Sequence, residues 1–535
     1  MTRSTIALRR RGTPATTRPP LPLLAVAAGV AVLAFLPLVW LALRALGGDA
    51  QTLELLIRPR TAELLLSTAV LGVGTAAGAL LFGLPIAWLT VRTDLPGRRA
   101  WEIAAIAPLA VPSYLLAFAF VAALGPRGWI ADLLAPFGVG TLPLLDGPLG
   151  AILVLSLATM PFVVLSASAA LRRLDAASDE VARSLGDGPV AAFRTAVLPR
   201  LLPAAGAGAL LAALYAISDF GAPAILRYDS LARAIYTQVR SSFDRAGASA
   251  LALLLVALAL VCILAEARAR RSAALRTPRE VRRTPARIAL GRWRIPALLF
   301  CGLVTTLALV LPVVTVAVWL FRGLGAGAQI ALDPSALRDS LVLAGSAALV
   351  AVSVALPLAW LVVRHHGRAG VLAERLAWLV EAMPGISFAL AVVSLTLTLV
   401  PALYQSLAAL VLSVALRFLV QPVGALRAPI LQVGPHLEEA ARSLGDSRAG
   451  MVRRIVLPLL RPGIAAGAAL VFLGALKELP LTLLVAPTGF ATLATELWDA
   501  AREGFFAQAA LPAALLLVVA SASLALLVRG AEARR

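Results

Sequence analysis

Lysine occurs once in this chain, at Lys477, and a glutamate follows it. A phosphate-binding loop of the form Gly-x-x-x-x-Gly-Lys-Ser/Thr is therefore absent, and with it the commonest means of splitting ATP. Cysteine occurs twice, at Cys262 and Cys301, each inside an apolar run and without pairing or metal-ligand spacing. Both read as small buried apolar residues. The histidines are His365, His366 and His436; an adjacent pair is a poor metal site, so no metal or cofactor is expected. Charge is scarce too, at 14% of 535 residues against 60% hydrophobic, and mean hydropathy is +0.90. That balance excludes a soluble chain, which at this length would form several cored domains with far more charge on their surfaces.

What is present in abundance is apolar runs of bilayer length, roughly 20 residues each. They predict an all-α polytopic membrane protein of about twelve spans, near 22–44, 62–91, 101–124, 148–171, 203–226, 248–267, 295–321, 338–363, 372–398, 403–426, 462–487 and 507–528. The basic, proline-containing start runs into a long apolar stretch at about Leu21, as in a signal anchor rather than a cleaved leader.

A net charge of +20 raises the question of nucleic acid, but the placement of the arginines answers it. Arg9-Arg10-Arg11 precedes the first span, Arg92, Arg98 and Arg99 follow the second, Arg172-Arg173 the fourth, and the densest cluster runs from Arg268 to Arg294. With both termini inside, all of these fall on the cytoplasmic face of the membrane, as the positive-inside rule requires. Topology and anionic headgroups account for the charge, and no nucleic-acid partner is expected.

One phrase occurs twice. Glu180-Val181-Ala182-Arg183-Ser184-Leu185-Gly186-Asp187 matches Glu439-Ala440-Ala441-Arg442-Ser443-Leu444-Gly445-Asp446 at an offset of 259. The same offset superimposes Leu198-Pro199 on Leu457-Pro458 and Pro203 on Pro462. Upstream, Leu84-Pro85 through Trp88 and Arg92 match Leu356-Pro357 through Trp360 and Arg364, and Pro112 matches Pro384, at an offset of 272. The difference puts extra residues in the first half, most readily in the stretch Gly125 to Gly150, where insertion costs little. The chain divides into a first six-helix repeat over 1–267, a basic cytosolic linker over 268–294, and a second repeat over 295–535. An even helix count makes the repeats parallel, related by an axis along the membrane normal.

The repeated phrase sits in a loop, at about 172–202 and again at about 427–461. Its acidic residue suits a helix N-terminus, its glycine (Gly186, Gly445) a sharp break, and its Leu-Pro pair the start of a new helix. Small residues at Ala182, Ala440 and Ala441 let another surface approach closely. The loops read as docking devices.

This pattern of Glu-Ala-Ala, three residues, Gly, nine residues, Ile, one residue and Leu-Pro resembles the signature loop of binding-protein-dependent ABC transporter permeases. The second copy matches in full, including Ile455; the first departs at Val181 and Ala196. The resemblance implies a type I importer fold and a coupling role for Glu180, Ala182, Gly186, Leu198, Pro199, Glu439, Ala440, Ala441, Gly445, Leu457 and Pro458. It also implies a bacterial inner-membrane location and a separate cytosolic ATPase in two copies, so this chain is expected to be a transport subunit and not an enzyme.

The 259 offset also pairs Asp219 with Glu478, two carboxylates inside apolar spans. Such groups usually face a bundle interior or a water-filled path, so both are candidates for the translocation path, the alternative being local capping near a membrane surface. The stretches Leu214–Gly221 and Leu476–Leu483 resemble fused iron(III)-uptake permeases. That implies ferric iron brought by an external solute-binding protein, which would dock around 227–245 and 488–503. Thiamine permeases share the fused design and give the alternative cargo. An ion-coupled secondary transporter would not need a repeated docking loop.

Overall fold

The computed structural model describes residues 19–532 apart from 49, 127, 139–144, 174–190, 192, 243, 277–286, 328–333, 366–367, 434–436, 438–442 and 446. Among the described residues the chain is helical throughout, and the only β-type contact is an isolated bridge between Thr93 and Ile288. Among the described residues ten helices are long and apolar enough to cross a membrane, or up to twelve if each of two bent pairs is one span. Leu66, Val73, Leu303 and Leu349 stand mostly exposed on the outside of these helices, an arrangement that lipid favours and water does not.

Several expected spans are broken rather than straight. The one expected over 101–124 is a helix Arg98–Ile106, a 3-10 turn Ala107–Ala110 and a helix Ser113–Leu124. Its counterpart, expected over 372–398, bends by 105° between Ala369–Ala382 and Gly385–Leu399. Pro112 and Pro384 sit at these breaks with extended backbone, ψ 144° and 134°. Proline offers no N–H to the preceding turn and disfavours helix in the residue before it, which an apolar run cannot reveal. The span expected over 403–426 likewise bends by 51° between Leu407–Arg417 and Val420–Gln432.

The halves exchange their first helices. Leu21–Leu46 packs on the bent pair of the second half, with Trp40 Nε1 donating to Ser394 Oγ at 3.2 Å and Arg44 to Thr398 Oγ1 at 2.9 Å. Reciprocally, Trp319 of the second half donates to the Ala122 carbonyl at 2.9 Å. The extra stretch of the first half holds that helix as well. It forms a short helix, Trp129–Leu134, whose Trp129 donates to Thr315 Oγ1 at 3.1 Å and whose Asp132 lies 2.7 Å from Arg322.

Within each half the fifth helix packs closely on the fourth. A Cβ at Gly208 would lie 2.7 Å from the Phe162 carbonyl oxygen, and one at Gly467 would lie 2.8 Å from Pro422 Cα. These glycines correspond at the 259 offset, and small residues are what bring membrane helices into backbone contact.

Candidate functional site

Two regions repeat in both halves and carry polar groups: the roots of the repeated loops, and a polar layer where helices break.

Of the loop residues, Glu180, Ala182, Gly186, Glu439, Ala440 and Ala441 lie outside the described residues. Gly445 is exposed in a turn with φ +81°, the left-handed conformation that glycine adopts without strain, and Leu444 beside it is 87% exposed. Leu198-Pro199 and Leu457-Pro458 open the helices Leu198–Ser218 and Leu457–Leu476 with proline in the first turn. Each follows a π-turn, Phe193–Val197 and Val452–Val456; proline has no N–H to continue the i to i−4 ladder, and the backbone widens there.

The polar layer forms where the fifth and eleventh spans stop. The first of these helices ends at Ser218 and restarts as Gly221–Ile225; the second ends at Leu476 and restarts as Pro480–Val485. The two carboxylates occupy the gaps. Asp219 Oδ2 accepts from the Ala222 N–H at 3.0 Å, and Oδ1 accepts from Ser113 Oγ at 2.8 Å. Glu478 is 7% exposed and accepts from the Leu481 N–H at 3.3 Å. Each acid therefore satisfies an orphan donor of the short helix that follows it.

Their other partners differ. Glu478 Oε2 lies 3.3 Å from Arg417 Nε, and that guanidinium also donates to the Met383 carbonyl at 2.9 Å. Asp219 meets a hydroxyl where Glu478 meets a cation. Lys477 points elsewhere and donates to the carbonyl of Leu109, in the other half, at 2.7 Å. Arg417 and Ser113 escaped the sequence reading, although Arg417 is the only charged residue in the run 403–426, a signal in its own right. Ser113 carries no such signal. Next to this layer Phe220 and Trp498, both buried, bring the halves together with ring centroids 4.9 Å apart. Among the described residues no three His, Cys, Asp or Glu side chains gather as a metal site.

Comparison with known proteins yields a consistent set of relatives. The family described as "Binding-protein-dependent transport system inner membrane component" matches twice, over residues 79–272 and 347–534. The chain is 32% identical over 492 residues, 91% of its length and 93% of the relative's, to the Fe(3+)-transport system permease protein FbpB 2 of Haemophilus influenzae. It is 28% identical over 195 residues, 35% of this chain and 83% of the relative, to the molybdenum transport system permease protein ModB of Escherichia coli. It is 29% identical over 187 residues, 34% of this chain and 66% of the relative, to the sulfate transport system permease protein CysT of Synechococcus elongatus.

Proposed function

This chain belongs to the binding-protein-dependent transport system inner membrane components, as a fused permease carrying the family domain twice, and from that premise we propose that it forms the whole translocation unit of an ATP-driven importer of ferric iron. One observation carries the cargo: a permease named for Fe(3+) transport aligns with this chain over nearly the full length of both. The relatives named for molybdenum and sulfate align with about a third of it.

In this reading the ends of the bundle bearing Arg92, Arg172 and Val433, and both chain termini, are cytoplasmic. The repeated loops dock on two copies of a separate ATPase. Glu180, Ala182, Gly186, Leu198 and Pro199 form one contact; Glu439, Ala440, Ala441, Gly445, Leu457 and Pro458 form the other. ATP binding draws the ATPases together, the loops follow, and the halves move about the pseudo-twofold axis. Asp219 and Glu478, on opposite sides of that axis at helix breaks, line the path that opens. Helix breaks suit this role, since a chain without continuous i to i−4 bonds can hinge at low cost. An external solute-binding protein supplies the iron.

The test is radiolabelled ferric iron uptake by iron-limited cells carrying this chain or a form with Gly186 and Gly445 both replaced by bulky residues. Loss of uptake with the variant still in the membrane supports coupling and cargo together. Unchanged iron uptake leaves the permease family standing and removes iron as the cargo, with thiamine the next label.

A further inference from the structure

The end of the second long helix of each half bears a tryptophan and, one turn on, an arginine. Trp88 and Arg92 in the first half correspond to Trp360 and Arg364 in the second, at the 272 offset. In both, the guanidinium stacks on the indole, 5.6 Å and 5.1 Å from the ring centroid. Arg92 is only 3% exposed, and burying a guanidinium is expensive unless it is paired or hydrogen-bonded. Arg364 shows what the position achieves: its guanidinium donates to the carbonyl of Val433. Val433 is buried, caps the C-terminus of the helix Val420–Gln432, and is the last described residue before the loop segment 434–436. A cation there also meets the negative end of the helix dipole.

A second tie lies beside the first. Glu102 and Glu374 correspond at the 272 offset, and each pairs with an arginine on the helix that leads into a repeated loop. Glu102 pairs with Arg172, and Glu374 with Arg427 at 3.2 Å. The arginines do not correspond. At the 259 offset Arg172 matches Leu431, one helical turn beyond Arg427 on the same face. The same bridge is thus built in both halves from different positions, so it is not a relic copied with the duplication.

We propose that these two ties form a clamp at the root of each repeated loop, with Arg92 and Arg364 as positioning residues and Glu102–Arg172 and Glu374–Arg427 as braces. The inference rests on the docking role given to the loops above. A loop hung on a loose root would absorb a displacement imposed at its tip. A root tied to the second long helix passes it on, because that helix packs in turn against the fourth and fifth helices of its half.

The experiment compares the full importer, reconstituted in vesicles with its ATPase subunits and iron-loaded binding protein, carrying wild-type chain, Arg364→Gln, Glu374→Arg, or Glu374→Arg with Arg427→Glu. ATP hydrolysis and radiolabelled iron uptake are measured on the same vesicles. The clamp predicts that iron carried per ATP falls about tenfold in Arg364→Gln and Glu374→Arg, while hydrolysis stays within about twofold, and that the charge exchange restores the ratio. An unchanged ratio in Arg364→Gln, or hydrolysis and uptake falling in parallel without rescue by the exchange, overturns it. A wild-type chain that recruits no ATPase would instead remove the docking reading, and the clamp with it.

Discussion

Lys477 Nζ reaches across the molecule to the carbonyl oxygen of Leu109, 2.7 Å away and 368 residues earlier in the chain. The other 47 of the 48 basic residues are arginine. The lone lysine is thus spent on a bond between the two halves, where a compact ammonium on a flexible stem can make one strong contact and release it. Any separation of the halves at this level breaks that bond.

Lys477→Met should therefore favour the separated arrangement. A hydrogen bond to a charged group contributes about 1.5–3 kcal/mol, enough to shift a two-state equilibrium about tenfold or more. The expected result is higher ATP hydrolysis by the assembled importer in the absence of binding protein. Hydrolysis equal to wild type would show that this bond does not hold the halves closed.

Asp219 and Glu478 should separate in stability as they do in partners. Asp219→Asn keeps an oxygen for the Ala222 N–H, so thermal stability should change by less than about 1 kcal/mol. Glu478→Gln takes the facing charge from the largely buried Arg417 guanidinium, which keeps the Met383 carbonyl, and should cost up to about 3–5 kcal/mol, much of it recovered by adding Arg417→Gln. Uptake decides the path role: if Asp219→Asn transports iron as well as wild type, that carboxylate does not serve the path.

Packing of the fifth and eleventh spans gives a contrast between glycines. Gly467→Val would drive a side chain into Pro422, whose Cα lies 2.8 Å from the first added carbon, and overpacking of this kind costs about 1–3 kcal/mol. Gly206→Ala meets nothing within 4 Å and should be neutral or stabilising by up to about 1 kcal/mol. Melting of the solubilised protein measures both; equal shifts would contradict the packing.

Alkaline pH should weaken the loop after the first broken helix. Tyr228 is buried, donates to the Ser67 carbonyl at 2.6 Å, and burial raises its pKa above the usual 10.0. A raised folded-state pKa means that the stabilisation is complete below pH 10 and is lost as pH rises beyond it. Tyr228→Phe should flatten the fall in melting temperature above pH 10; an unchanged slope would assign that fall to other groups.

Much of this protein was legible in the sequence because the relevant physics is local. Apolar run length reports transfer into lipid residue by residue, which is why the spans and their number could be read directly. Duplication could be read because both copies kept their punctuation: the glycine turn at Gly445, the helix-opening Pro199 and Pro458, and the matched Asp219 and Glu478. What the tertiary structure decided is who meets whom. Nothing in an apolar run says that Leu21–Leu46 crosses to the second half, that Glu478 finds Arg417 while Asp219 finds Ser113, or that Lys477 chooses Leu109. Nor does it say that the runs around Pro112 and Pro384 break. In a membrane every apolar face is equally content with lipid, so partners are chosen by close packing and by satisfying the few buried polar groups. Those choices depend on residues hundreds of positions apart and become visible only when the chain is folded.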